Sequence, residues 1–374
     1  MHILMICTNF RPGGIQRHVL DLTADLRARG HRVTLAGDTG DWEGKARAGD
    51  FIPLALNGVA GVAGGGPVGR VGGLARQAMA LRKAIHGRGI DVIHAHETAP
   101  ALVARVGTLG ARLPIVMTYH GAAPAREASV ARIGRLCADL AISPSATSLE
   151  ALIAKGLPRD RTQVIGLGVA TPTAADAGEV AALRARALDG KAGRRIVSVS
   201  RLSEQKGIDV MIDVTARVMR GHPGVVVAVA GGGPLSDVVA GWARDAGVAG
   251  NMRFLGPVST VPLHLRAADV FLLTSRWENL PISIVEAFRA GLPVVATDCG
   301  GVKELVDDAV GALLPVGDAK GIAAAVAGLI ADPVLRAAKG AAALARSAEG
   351  RFDPAAVHAR FAETYQDMIA RHRG

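Results

Sequence analysis

Two glutamates carry the sharpest chemical signal in this 374-residue chain. Glu278 and Glu286 stand eight positions apart in SRWENLPISIVEAF, residues 275–288. An apolar strand pattern, DVFLLTS (269–275), leads into the loop that carries Glu278, Asn279 and Pro281. Glu286 falls about one turn inside an apolar helical pattern, where side chains lean toward the helix N-terminus. Both carboxylates can therefore reach one crevice at a sheet edge. An ionised carboxylate offers two acceptor oxygens, which suits the vicinal hydroxyls of a sugar. A local cap or ion pair is the plainer role for Glu286, and the residues alone leave both open.

Two cations stand at a comparable place. In SRLSEQKGIDVMIDV (200–214) a strand pattern ends, and Arg201 and Lys206 precede a helix. Cations there can neutralise a diphosphate, and open α/β sheets bind ligands beyond the carboxyl ends of their strands. Two solvated loop charges would read the same way. In TNFRPGGIQRHV (8–19) Gly13 and Gly14 turn a strand directly into a helix. Glycine allows close backbone approach and a helix N-terminus favours anions, although an ordinary tight turn is also compatible. A literal GxGxxG at Gly64, Gly66 and Gly69 is a decoy. No strand leads directly into it, and the only acidic residue at the right distance, Asp91, opens a different strand. The enclosing glycine-rich insert, 58–73, reads as a mobile loop without a binding role.

The elements that must hold these residues alternate along the chain. HILMIC (2–7), RVTLAG (32–37), DVIHAH (91–96), PIVMTYH (114–120) and LAIS (140–143) read as short buried strands with helices between them. RRIVSVS (194–200), VVVAVAG (225–231), MRFLG (252–256), DVFLLTS and PVVATD (293–298) repeat the pattern, with helices beginning near Ile208, Leu235, Val261 and Ser283. Continuous apolar strands separated by helices indicate parallel sheets covered on both faces. The expected class is α/β with two Rossmann-like domains. One spans 1–172 and regains a terminal helix at 356–374, and the other spans 173–355.

At this point the chain resembles the retaining glycosyltransferases of family 4. The carrying residues are PGGIQRHV, TYHG (118–121), SRLSEQKG, VAGGGPL (229–235), RFLGPV (253–258) and the Glu278-x7-Glu286 element, in the family's order over nearly the whole chain. The resemblance implies a GT-B fold, with two Rossmann-like domains facing across a cleft and a C-terminal helix crossing back to the N-terminal domain. It implies an acceptor domain first and a nucleotide-sugar donor domain second. Arg201 and Lys206 would hold the donor's diphosphate, and Glu286 the ribose hydroxyls. Glu278, with Asn279, Leu280, Pro281 and Ile282, would hold the transferred sugar. Val258 would meet the base through its main chain, Gly13 and Gly14 would close on the phosphate, and His120 would face the reacting sugar. His120 and Glu278 are then the catalytic pair. VIGLGVA (164–170) departs from the family's Pro-Asn-Gly-Val-Asp stretch, which leaves the hinge details undefined.

The implied reaction transfers a sugar from a nucleotide-diphosphate donor to a glycan or glycolipid acceptor, in cell-surface polysaccharide or glycolipid synthesis. UDP is slightly favoured over GDP. No Asp-x-Asp occurs, so no metal cofactor is expected, and Arg201, Lys206 and helix N-termini would meet the leaving group's charge. A nucleotide-sugar-binding protein without turnover, or an epimerase or phosphorylase on the same fold, are the alternatives.

Charge and composition agree with that setting. Residues 1–170 hold 20 Lys/Arg against 12 Asp/Glu, and residues 171–374 hold 23 against 21. The basic excess in the first half suits an anionic partner such as a membrane surface. The basic helical pattern GLARQAMALRKAIHGRG (73–89) suits the same contact, though it also suits an ordinary solvated helix. Aromatic residues do not interleave with the basic patches, which argues against nucleic acid. Three scattered cysteines form no CxxC pair, and MHILMICTNF reads as a strand rather than a leader. The expected location is cytoplasmic, peripheral on the inner face of the membrane. His94 and His96 in HAHE point the same way on a strand and lack a third metal ligand. His94 is expected in the core, with His96 a candidate to border the cleft.

Overall fold

A computed structural model describes the chain apart from residues 12, 41, 43, 45–49, 60–66, 173–175, 189–192 and 374. The chain forms two compact units, Met1–Gly168 with Pro354–Gly374, and Val169–Asp353.

The first unit is built on a parallel sheet of β1 (His2–Asn9), β2 (Arg32–Asp38), β3 (Asp50–Pro53), β4 (Val92–His96), β5 (Ile115–Thr118), β6 (Leu140–Ser143) and β7 (Thr162–Val164). Its order is β3-β2-β1-β4-β5-β6-β7. The apolar run of β1 serves both faces because strand side chains alternate. Ile3, Met5 and Cys7 pack with Val19, Leu22 and Leu26 of the helix Gly14–Ala28, and with Val357, Phe361 and Tyr365 of the terminal helix Pro354–Arg373. Leu4 and Ile6 pack on the other face with Leu81 of the helix Pro67–Ile85, and with Val103 and Ala104 of the helix Thr98–Gly107. The terminal helix therefore belongs to the first unit's core.

The second unit repeats the plan with β8 (Arg195–Val199), β9 (Val226–Ala230), β10 (Met252–Gly256), β11 (Val270–Leu273), β12 (Val294–Thr297) and β13 (Gly311–Leu314). The order is β10-β9-β8-β11-β12-β13, again parallel. In each sheet the order reverses once, between β1 and β4 and between β8 and β11. Such a reversal parts the loops beyond the strand ends and leaves room for a ligand.

Three strands are absent from the sequence reading: β3, β7 and β13, all short and all at sheet edges. The helix expected near Leu235 begins at Val239 instead. The amide of Leu235 is spent on the carbonyl of Leu202 at 3.0 Å, so the chain is tied to a loop there. The glycine-rich insert is not wholly a loop. Pro67 opens the helix Pro67–Ile85, which absorbs residues 67–73, and proline suits a first helical position. Gly64 and Gly66 of the decoy lie outside the described residues.

Candidate active site

In the second unit Arg201, Lys206 and Glu278 lie beyond β8 and β11, at the reversal of the sheet, while Val258 follows the edge strand β10. After β8 come Ser200 and Arg201, then a turn of 3-10 helix Glu204–Lys206, then Gly207 in the left-handed region at φ 58°. A Cβ on Gly207 would lie 2.2 Å from the carbonyl oxygen of Thr274, so only glycine lets this turn sit against the end of β11. Thr274 Oγ1 donates to the carbonyls of Lys206 and Gly207, both at 3.0 Å. The amide of Arg276 donates to Gln205 O at 2.7 Å, and Gln205 Nε2 returns to Trp277 O at 2.9 Å. Arg276 also pairs with Asp209 at 2.6 Å. These bonds fix the Lys206 turn to the Glu278 loop.

Lys206 Nζ donates to Glu278 Oε1, and Ser275 Oγ donates to the same oxygen at 2.6 Å. Both partners are largely buried, at 15% and 6% side-chain exposure. A carboxylate in that position needs both donors, because burial strips its water. Thr297 Oγ1 and Cys299 Sγ hold the Ser275 carbonyl from β12's end, at 2.5 and 3.5 Å. Burial, and next the Glu278 carboxylate, push the Cys299 thiol up to about 12, so it stays a protonated packing group. Arg201 is exposed and has no protein partner among the described residues. Asn279, Leu280 and Pro281 are buried. Glu286 is half-buried on the helix Ile282–Arg289, which starts at Pro281 without a side-chain cap. Val258 is half-buried just past β10.

In the first unit Gly13 and Gly14 are exposed where β1 gives way to its helix, and Gly13 is extended at φ −178°. The same helix carries His18, whose ring meets His120 edge-on at 6.1 Å. His120 is half-buried after β5, and its Nε2 hydrogen-bonds His96 Nδ1 at 3.0 Å. Burial, and next the neighbouring His18, hold the His120 imidazole down to about 3, so it is neutral at working pH. His96, a candidate to border the cleft, is fully buried, its ring stacked on His120 at 5.3 Å and tilted against His94 at 4.1 Å. His94 lies in the core, bonded to Thr118 Oγ1 at 2.7 Å and to the Tyr365 hydroxyl at 2.6 Å. Sequence reading missed Ser275, Thr274 and Gly300. The Ser275–Glu278 spacing was visible, but nothing local showed that a hydroxyl would turn back onto the carboxylate.

Residues 12–172 match the Glycosyltransferase Family 4 pattern, and residues 182–346 match the Glycosyl transferases group 1 pattern. A phosphatidyl-myo-inositol mannosyltransferase of Mycolicibacterium smegmatis is 30% identical, covering 98% of this chain and 94% of that protein. The chain belongs to glycosyltransferase family 4. This glycosyltransferase is also similar to a GDP-mannose-dependent alpha-(1-6)-phosphatidylinositol monomannoside mannosyltransferase of the same organism, 36% identical over 39% of this chain and 41% of that protein. Among solved structures, Anabaena Alr3699/HepE in complex with UDP-glucose superposes with a TM-score of 0.82, at 23% identity over 98% of this chain and 100% of that one. WaaG, a glycosyltransferase involved in lipopolysaccharide biosynthesis, gives a TM-score of 0.76, at 16% identity over 97% and 99%. These two likenesses show the GT-B fold. Among the described residues no single helix is long and apolar enough to cross a membrane.

Proposed function

We propose that this glycosyltransferase moves mannose from GDP-mannose to a hydroxyl of an inositol-type lipid headgroup, with retention at the anomeric carbon. The observation that carries the reading is the site beyond β8 and β11. There an exposed arginine and a buried lysine stand beside a carboxylate fixed by Ser275. Arg201 and Lys206 take the diphosphate, Glu278 and the backbone of Asn279 to Ile282 take the sugar, and Glu286 takes the ribose. Val258 meets the base, Gly13 and Gly14 meet the phosphate, and His120 faces the sugar. In the transfer, the acceptor oxygen bonds to the anomeric carbon as the bond from that carbon to the phosphate oxygen breaks. The departing diphosphate oxygen takes the acceptor's proton. Negative charge grows on the leaving group, and fixed cations lower that barrier without a metal.

The choice of sugar and base rests on the full-length relative named for phosphatidyl-myo-inositol and mannose, and on the partial one named for GDP-mannose. It replaces the slight sequence preference for UDP. The lipid acceptor would be met at an anionic membrane surface. The helix Pro67–Ile85 presents Arg76, Arg82 and Lys83 with Val71 and Met79, which are 68% and 66% exposed. Cations beside exposed apolar side chains suit a headgroup layer.

The test is thermal stabilisation by GDP, UDP, ADP and TDP with and without EDTA, followed by transfer from GDP-mannose to phosphatidylinositol in mixed micelles. A ligand at 100 times its Kd should stabilise by about 2.7 kcal/mol. Stabilisation by GDP that EDTA leaves unchanged, with mannosyl transfer, is expected. Stabilisation by UDP alone would move the donor to a UDP-sugar, and dependence on a divalent cation would overturn the metal-free leaving-group site.

A further inference from the structure

Glu97 is the sole non-glycine residue at positive φ among the described residues. Its backbone stands at φ 81° and ψ 175°, a combination that glycine adopts freely and side-chain-bearing residues almost never do. The chain therefore holds a strained backbone here and keeps a glutamate on it. The position is the residue after β4, beside the end of β1, which is where the first sheet reverses its order.

The local structure offers no other reason for the carboxylate. Glu97 is the residue before the helix Thr98–Gly107, yet its side chain makes no capping hydrogen bond to that helix. Its amide completes the sheet edge by donating to Thr118 O at 3.1 Å, which any residue with an N–H would do. The carboxylate reaches across the reversal instead. Thr8 Oγ1, from the end of β1, donates to Glu97 Oε2 at 2.9 Å. That bond is the only one the carboxylate makes among the described residues, so Oε1 keeps its acceptor capacity. Burial, opposed by the Thr8 hydrogen bond and the Arg126 charge, raises the carboxyl's pKa, and a poorly hydrated carboxylate accepts hydrogen bonds strongly. His96, the residue before it, is hydrogen-bonded to His120, so the carboxylate belongs to the same edge as the imidazole proposed to face the sugar.

We propose that Glu97 binds the acceptor, its carboxylate receiving hydroxyl hydrogen bonds from a polyol at the β1–β4 reversal while Thr8 fixes its orientation. This inference rests on the transfer reading above and adds a specificity-determining residue to it. The strain then has a use. It holds the carboxylate against Thr8 at the β1–β4 reversal, where an extended residue at ordinary φ would send its side chain elsewhere.

Glu97→Gly and Glu97→Gln separate this role from a structural one. Glycine fits the dihedral angles, so E97G should melt at or above the wild-type temperature, and glutamine keeps an oxygen for Thr8. Rates are measured against phosphatidylinositol at saturating GDP-mannose, and against GDP-mannose at saturating lipid. Both variants should keep the stabilisation by GDP and a donor KM near wild type. Their kcat/KM for the lipid should fall by about 10- to 100-fold, the value of one hydrogen bond to a charged group. An E97G that folds well and transfers as fast as wild type, with unchanged lipid KM, overturns the inference and leaves the transfer reading standing. A wild-type protein that no nucleoside diphosphate stabilises, and that transfers nothing, overturns the transfer reading and this inference with it.

Discussion

Lys206 and Glu278, 72 positions apart in sequence, form a buried ion pair beyond the ends of β8 and β11. The carboxylate proposed for the sugar is therefore neutralised by the same lysine proposed for the diphosphate. On the proposed reading, a donor arriving at this pair would bring its own phosphate charge, which would compete for Lys206 and free acceptor capacity on Glu278. Removing one partner of such a pair leaves a buried charge, whereas removing both does not. Lys206→Met should destabilise the protein by about 3 kcal/mol and lower turnover by about 100-fold or more. Adding Glu278→Gln should restore much of the stability and none of the activity. Denaturation midpoints of the four proteins in the cycle check this, and purely additive losses would show that the pair is not coupled.

Gly300 gives a second, sterically defined test. It sits at φ 55°, and a Cβ there would lie 1.9 Å from the Glu278 carbonyl oxygen. Gly300→Ala must push the loop that carries Glu278. Turnover should fall by about 100-fold, because misplacing a positioned group by an ångström costs that much, with a stability loss of about 1–3 kcal/mol. Wild-type kcat in a folded G300A protein would mean that the loop's position does not govern catalysis.

The histidines of the first unit predict a pH response. Burial, and next His358, hold His18 down to about 4, and His120 is held down to about 3, both from an ordinary 6.5. His94 and His96 are lowered well below that value, first by burial. The folded protein keeps these rings neutral, while the unfolded chain binds protons from about pH 6.5 downward. Unfolding thus takes up protons, and stability is lost as pH falls from about 6.5 toward about 4, by up to about 1.4 kcal/mol per pH unit for each such ring. Melting temperatures at pH 7, 6 and 5 should drop progressively. A flat profile over that range would show that the rings are charged or equally accessible in the fold.

Tyr365 tests how the terminal helix is held. Its hydroxyl meets His94 Nδ1 at 2.6 Å in a fully buried place. Tyr365→Phe leaves that nitrogen without its partner and should cost about 1–3 kcal/mol, with donor KM unchanged because neither Tyr365 nor His94 is among the residues proposed to hold the donor. A variant as stable as wild type would show that water or a neighbour replaces the bond.

Much of this protein was legible in one dimension because parallel sheets write a strong pattern. The run from Ile3 to Cys7 serves two buried faces, so it must be apolar throughout, and the sequence shows that directly. The edge strands β3, β7 and β13 carry no such run, since one side of each has no strand to pair with and less apolar surface to bury. Most residues proposed for the donor site were found as motifs because they sit just past a strand, at a turn rich in glycine or proline, with Glu286 one turn into the helix that follows. Local spacing by itself determined the α/β class and the two repeats, and the motifs in their order carried the resemblance to the family. Only the tertiary structure decided that Ser275 and Lys206 converge on one Glu278 oxygen, that His96 is sealed beneath His120, and that Glu97 is strained toward Thr8. Apart from the local Ser275 turn, those are contacts between strand ends distant in sequence, and sheet order, which no local pattern encodes, is what brings them together.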